Sequence, residues 1–460
     1  MTARELAAWA LALDRVPEPV AAAATRHLLD GFGTALAALR TGAAGPAAEV
    51  ARGLGGPPEA AVLGTGDLLS APAAALANGT LVHALDFDDT HAGGLVHATA
   101  VVLPAAFAVG QQTGASGRDV LTAAVAGYET ACRVAAAAPH GFHARGLHAT
   151  MVAGVFSSAL VAARLLGLDA ERATAALGIA GSQAGGLLAF LGTGASTKQL
   201  HPGFASQSGI IAARLAAAGA TGPETVFDGP HGVFDALSAH EADPASIVDG
   251  LGERWETTRI GIKPYAACQL SHATIGAVLD AMARERFGPD EVAGVHARVH
   301  PDSAPVVCDT SRDLTRPASP YAAKFSLPWT VAALITDGGL TLDTFAADSI
   351  ARPEVTRLSA RVRWDVAGGP GAAADAPGHV TITLTDGREV TGSVPRSEGG
   401  GDFPLSRASL LAKFTGNAGV PAADAEEFAR TVETLGDRPD AAAVMRAAAA
   451  LAQLTQQENG

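Results

Sequence analysis

The sequence predicts a mainly α-helical protein with an inserted α+β domain. Two observations predict it. Helix-period apolar patterns run from the N-terminus to about residue 265 and return after Gly399-Gly400-Gly401, whereas strict apolar/polar alternation is confined to the stretch between. The simplest arrangement is a large all-helical domain built from both chain ends, residues 1–266 and 401–460. A smaller α+β lid domain, residues 267–400, is inserted between them. A cleft between two such domains is the default place for a site.

The helical elements follow from local signals. Residues 1–19 read as an amphipathic helix closed by Pro17 and Pro19. Ser116 and Asp119 form a capping-box-like pair before Leu121, Val125, Tyr128 and Cys132, which fall on one helical face. Met151–Leu168 is rich in Ala, Gly and Ser, which suits close helix contacts in a bundle. Asp169 N-caps Ala170–Leu177 with Gly178 as its stop, and Phe204–Ala218 ends before Gly219.

Strands are predicted at Val295–His300, Leu358–Trp364, Val380–Leu384 and Arg388–Val394, the last two joined by Asp386-Gly387, a strong hairpin signal. Between them Ala323–Thr336 and Leu342–Ile350 read as helices, and Gly368–Gly378 as a loop. C-terminal helices are expected at Ser406–Phe414, Ala422–Leu435 and Ala441–Thr455.

Bulk properties exclude several function classes. The 460 residues suit two or three domains, and 48% hydrophobic residues supply a large core. A net charge of −14 without a basic run argues against nucleic acid, because phosphate binding needs clustered Lys and Arg. Three cysteines without a CxxC pair argue against a zinc knuckle or redox dithiol and suit a reducing cytoplasm. Neither a signal peptide nor a membrane span is read, so a cytoplasmic protein is expected.

Four segments carry candidate chemistry. In residues 78–97, three aspartates (Asp86, Asp88, Asp89) and three histidines (His83, His91, His97) lie in apolar surroundings. Buried carboxylates are costly unless paired, so the cluster reads as a site, although a single Asp88 or Asp89 equally suits a helix cap. His83 and Asp86 at i, i+3 are weakly compatible with a dinuclear metal centre, but no ligand-dense motif completes one. His140, His143 and His148 precede the Met151 helix, and His148 lies where a helix N-terminus attracts anions. Gly192–Gly203 lacks the strand and GKS/GKT of a phosphate loop, which leaves Lys198 in a small-residue loop as a carboxylate partner. Lys263–His272 lies at the domain junction. Its Cys268 and His272 at i, i+4 lack an orienting acid and an oxyanion-hole signature, so thiol catalysis is disfavoured.

Together these segments resemble the MmgE/PrpD family. The carriers are NGTLVHALDFDDT (78–90), VHATAVVLPAAFA (96–108), GYE (127–129), HATMVAGVF (148–156), STKQLHPGFASQSG (196–209), KPYAACQLSHATI (263–275) and AKFSLPW (323–329). The resemblance covers nearly the whole chain. It implies a homodimeric enzyme, free of cofactor and metal, that acts on a small di- or tricarboxylic acid. Matching motifs place the family's pocket on Asp86, Thr90, His97, His148, Lys198 and His272, and Thr90 enters through the resemblance alone. The catalytic candidates are His97, His148, Lys198, Asp86 and His272. The substrate-binding candidates are Thr90, Lys198, His148, Lys263 and Trp329. Two departures stand out: Ala98-Thr99 follows His97 where the family often has Pro-Ser, and Trp329 replaces a family tyrosine.

The expected chemistry is proton transfer at the carbon next to a carboxylate. Lys198 and the helix start at His148 stabilise the resulting charge, with His97 or His148 as base or acid. Loss of a β-hydroxyl gives dehydration, reprotonation on the other face gives epimerisation, and decarboxylation reaches the same intermediate by another route. A dehydratase of the 2-methylcitrate type is ranked first. An epimerase or a decarboxylase acting on iminodisuccinate- or cis-aconitate-like acids follows, and a non-catalytic carboxylate-binding protein is the alternative of a different class.

Overall fold

Small residues set how closely the helices of the first unit approach. The computed structural model describes residues 1–367, 373 and 376–458, with side chains through 455. It divides into two compact units, Met1–Ile260 with Ser406–Gly460, and Gly261–Leu405.

The first unit opens with α1 (Thr2–Ala12), α2 (Glu18–Thr41), α3 (Gly45–Leu54), α4 (Ala71–His83), α5 (Thr99–Thr113) and α6 (Gly117–Ala136). The short α7 (Gly141–Ala144) follows, then α8 (Ala149–Leu165), α9 (Ala170–Gly181), α10 (Thr197–Ala217) and α11 (Val233–Leu237). The core is the mutual packing of α4, α5, α8 and α10, with α6 against α8. At the α4–α10 crossing, a Cβ on Gly79 would lie 2.8 Å from the Gly203 backbone. Only glycine on both helices permits that approach, and it brings the end of α4 beside the start of α10.

Several local expectations are met. Ser116 Oγ accepts from the Asp119 N–H at 3.2 Å, and Asp169 accepts from the Arg172 N–H at 2.8 Å. Three are corrected. Pro17 and Pro19 start α2 instead of closing α1, since proline's missing N–H is harmless in a first turn. α9 runs through Gly178, whose absent Cβ makes room for the Pro223 and Gly222 backbone, so this glycine serves packing and not termination. α10 starts seven residues before the predicted Phe204, and Lys198 therefore sits in its first turn and not in a loop.

The second unit carries a four-stranded sheet of β1 (Val292–Val299), β2 (Val362–Val366), β3 (Gly378–Leu384) and β4 (Glu389–Val394), in the order β2-β1-β3-β4. β1 and β2 run parallel; the other pairs are antiparallel. The Asp386-Gly387 turn joins β3 to β4, with Gly387 at φ +88°. Around the sheet lie α12 (His272–Arg284), α13 (Ala304–Val307), α14 (Pro320–Ala323), α15 (Leu327–Asp337) and α16 (Pro353–Ser359). α12 packs on β3 and β4. The strand predicted from Leu358 begins only at Val362, because Leu358 and Ser359 close α16. The helix predicted at Leu342–Ile350 is two 3-10 turns, Asp343–Phe345 and Ser349–Ala351. Most of the predicted Gly368–Gly378 loop lies outside the described residues.

The chain then returns to the first unit as α17 (Arg407–Ala418), α18 (Ala422–Glu433) and α19 (Ala442–Glu458). Among the described residues no helix is long and apolar enough to cross a membrane.

Candidate active site

Four helix ends meet in the first unit. His83 is the last residue of α4. His97 lies two residues before α5, His148 is the N-cap residue of α8, and Lys198 is the second residue of α10. Three helix N-termini, each the positive end of its dipole, thus face one buried cluster. The chain between α4 and α5 lines it with Asp86, Asp88, Asp89 and Thr90, all buried. Asp86 holds a left-handed backbone at φ 53°, uncommon for a residue other than glycine.

Each ionisable group has a defined partner. Lys198 Nζ donates to Asp86 Oδ1 at 2.6 Å. His83 Nδ1 is 2.8 Å from Asp88 Oδ2. His97 Nδ1 lies 2.8 Å from the Asp89 carbonyl and 3.4 Å from Thr90 Oγ1, and the His97 N–H donates to Thr150 Oγ1 at 3.1 Å. Because a carbonyl only accepts, His97 Nδ1 carries the hydrogen, and Nε2 is the nitrogen whose protonation can change. His148 Nδ1 is 3.1 Å from His201 Nδ1. The rings form a continuous group, with centroids 4.6 Å apart for His83–His97, 5.7 Å for His83–His148 and 5.8 Å for His97–His148.

The electrostatics favour the neutral imidazole at His148, His201 and His143. Burial, reinforced by the Lys198 charge, holds His148 well below the ordinary histidine range. His201 is pushed down to about 4 by burial and then by His83 and Lys198, and His143 to about 4 by burial and then by His140 and Lys198. Asp89 is different: burial pushes its carboxyl up to about 8. It accepts from the Thr99 N–H at 3.1 Å and is bonded to Thr99 Oγ1, which itself lies 2.8 Å from Tyr128 OH. Asp89 is therefore the cap of α5 that the sequence allowed as the plain reading, whereas Asp88 orients an imidazole.

Asp86, Thr90, His97, His148 and Lys198 belong to this cluster, as the sequence reading grouped them. His91, the third histidine of that segment, points away: its Nε2 pairs with Glu256 Oε2 at 2.9 Å and its Nδ1 accepts from the Gly94 N–H. His201 was missed as a site residue. Once residues 196–203 are read as helix, His201 is three positions after Lys198 and shares its face. His83 was counted in the residue 78–97 cluster but given an individual role only as a weak metal ligand, and its place on the last turn of α4 is the signal that joins it to His97.

Lys263, His272 and Trp329 belong to the second unit. Lys263 and His272 are buried, and His272 Nε2 lies 3.0 Å from the Ala267 carbonyl with the Tyr265 ring at 5.5 Å. His272 opens α12, and a 3-10 turn, Gln269–Ser271, separates it from Cys268. The single helix assumed for an i, i+4 thiol pair is therefore not formed. Trp329 sits in α15, fully buried, with its ring 5.6 Å from that of Phe345.

Comparison with known proteins places the chain in a family. The family model for the MmgE/PrpD N-terminal domain matches residues 4–245, and that for the MmgE/PrpD C-terminal domain matches residues 265–437. The chain belongs to the MmgE/PrpD family. Among curated members, it is 29% identical to a cis-aconitate decarboxylase of Aspergillus terreus over 443 residues, 90% of this chain and 89% of the relative. It is 30% identical to the human cis-aconitate decarboxylase over 368 residues, 75% and 72% of the two chains. A cis-aconitate decarboxylase-like protein of Aspergillus oryzae is 28% identical over 436 residues.

Proposed function

We propose that the chain is a lyase of the decarboxylase type, acting on an unsaturated tricarboxylic acid such as cis-aconitate without cofactor or metal. The observation that carries this reading is the buried grouping of His83, His97, His148 and His201 around the Lys198–Asp86 pair. The relatives supply the direction. The sequence reading ranked dehydration ahead of decarboxylation, and near full-length likeness to cis-aconitate decarboxylases favours the reverse.

The chemistry suits these groups. In cis-aconitate one carboxylate sits on a saturated carbon beside the double bond. When that C–C bond breaks, the electron pair enters an allylic system conjugated with the retained carboxylates, and CO2 leaves. The double bond shifts by one carbon, and one proton is delivered to the far end of the allylic system. Trianion plus one proton gives a dicarboxylate plus CO2, so the step balances. Lys198 and the N-termini of α5, α8 and α10 bind the retained carboxylates, where negative charge accumulates. His97, with Nδ1 fixed on the Asp89 carbonyl, is the proton donor through Nε2, and the anionic substrate supplies the field that lets this ring hold a second proton. Thr90 and His148 position the substrate.

The test is incubation with cis-aconitate in D2O. The expected outcome is CO2 release with one solvent deuterium per molecule of dicarboxylate product, undiminished after exhaustive chelation. Lys198→Ala and His97→Ala each lose at least ~10²-fold in rate. Water loss from 2-methylcitrate without CO2 from cis-aconitate would overturn the proposal in favour of the dehydratase, as would near-wild-type rates in both variants.

A further inference from the structure

We infer that His83, His97 and His148 form a capture site for a divalent transition metal such as Zn2+, and that the metal inhibits the protein instead of serving it. One ring nitrogen from each lies within 4.8 Å of those of the other two, and all three rings are buried. The second observation is at His83: its Nε2 is buried with no hydrogen-bond partner. A buried imidazole nitrogen left unsatisfied costs free energy that a ligand recovers.

The surroundings are those of metal-binding histidines. A ligating imidazole usually donates its other nitrogen to a carboxylate or a backbone carbonyl, which fixes the tautomer and the ring plane. His83 Nδ1 faces Asp88 Oδ2 at 2.8 Å, and His97 Nδ1 faces the Asp89 carbonyl at 2.8 Å. His148 has the Nδ1 of His201 at 3.1 Å. Zinc takes three protein nitrogens at roughly 2.0–2.1 Å with water in the fourth place, which sets them about 3.3 Å apart. The rings therefore need to close by up to about 1.5 Å, within reach of small side-chain rotations. The Lys198 charge opposes the ion as it opposes protonation of His148, and the carboxylates of Asp86, salt-bridged to Lys198 at 2.6 Å, and of Asp88, 2.8 Å from His83, offset it. With Nδ1 of His97 held by the Asp89 carbonyl, the ion takes His97 Nε2, the proton donor of the proposed reaction, so the same geometry predicts inhibition.

The site is read directly and without substrate, so its test does not depend on the decarboxylase reading. The metal-free full-length chain is titrated with Zn2+ by calorimetry, and the zinc-loaded wild type is examined by X-ray absorption. The expected result is one Zn2+ per chain with three imidazole donors at roughly 2.0–2.1 Å. Asp88→Asn keeps the ligands and weakens affinity about 10–100-fold, as loss of an orienting carboxylate does. His83→Ala abolishes stoichiometric binding, with circular dichroism reporting whether that variant folds. His296→Ala, which removes an exposed histidine 3.0 Å from Asp365 in the second unit, leaves the affinity unchanged. Fewer than three imidazole donors in the wild type would overturn the site, as would an affinity indifferent to Asp88→Asn or dependent on His296.

Discussion

At the scale of single residues, the cluster combines groups whose protonation burial controls in opposite senses. Asp89 has its carboxyl raised to about 8, and His27, 3.9 Å away, is lowered to about 4 by burial. For Asp89 the folded state binds the proton more tightly than the unfolded chain, so stability falls as pH rises from about 4 to about 8. For His27, His143 and His201 the folded state binds it less tightly, so stability rises from about pH 4 to the ordinary histidine value of 6.5 and is flat beyond. Between about pH 6.5 and 8, the Asp89 slope is no longer offset by these histidines. Thermal melting is expected to fall over that window in the wild type and to be flatter in Asp89→Asn, whose amide retains an acceptor for the Thr99 N–H and a donor for Thr99 Oγ1. An unchanged slope in the variant would show that Asp89 is ionised in the fold. Much of this cluster was legible, because carboxylates and histidines crowded into apolar sequence must be paired or functional. What stayed hidden was the division of labour: whether Asp88 or Asp89 caps a helix depends on where α5 begins relative to the preceding turn, which sequence spacing does not fix.

At the scale of elements, the misread features share a cause. Gly178 and Pro17 were read as punctuation, and each serves a different purpose in the fold: one clears room for a crossing segment, and the other opens the following helix. The early start of α10 was missed for a similar reason. Its first turns contain Thr197, Pro202 and Gly203, poor helix formers that tertiary packing against α4 overrides. The strand alternation was clearer because its period of two survives any partner; it placed the start of β1 three residues late, and it erred most where Leu358 and Ser359 continued the same alternation into a helix end. One element links the chain end to the site. Lys413 on α17 pairs with the buried Asp30 of α2 at 2.6 Å, donates to the Phe87 carbonyl at 2.8 Å and lies 4.0 Å over the Phe87 ring. Helix α17 thereby holds the residue between Asp86 and Asp88. Replacing Lys413 by Met leaves the Asp30 carboxylate buried without this cation, for which a loss of about 3–5 kcal/mol in denaturant unfolding is expected. A loss below about 1 kcal/mol would mean that Asp30 is neutral in the fold.

At the scale of the whole molecule, the first unit leaves an apolar stripe on α10 exposed. Phe204, Ile211 and Leu215 fall at i, i+7 and i+11 along α10 and are 37%, 38% and 43% exposed. Leu187 and Leu191, in and beside the short 3-10 segment that packs on α10, are exposed as well. Solitary exposed apolar residues are ordinary, but a row on one face of a helix is a surface that favours cover. The family resemblance implies a homodimer, and we propose this stripe as part of its contact, with a second copy of the chain as the occupant. A two-fold contact places the same patch on both subunits, so one substitution acts twice. Sedimentation equilibrium is expected to give twice the chain mass for the wild type and a monomer for Ile211→Asp, with the helical circular dichroism unchanged. Because α10 also carries Lys198 and His201 in its first two turns, losing the contact is expected to lower the decarboxylation rate along with the mass. A monomeric wild type, or an Ile211→Asp dimer, would assign the stripe to another role and leave the active-site helix supported by the first unit alone.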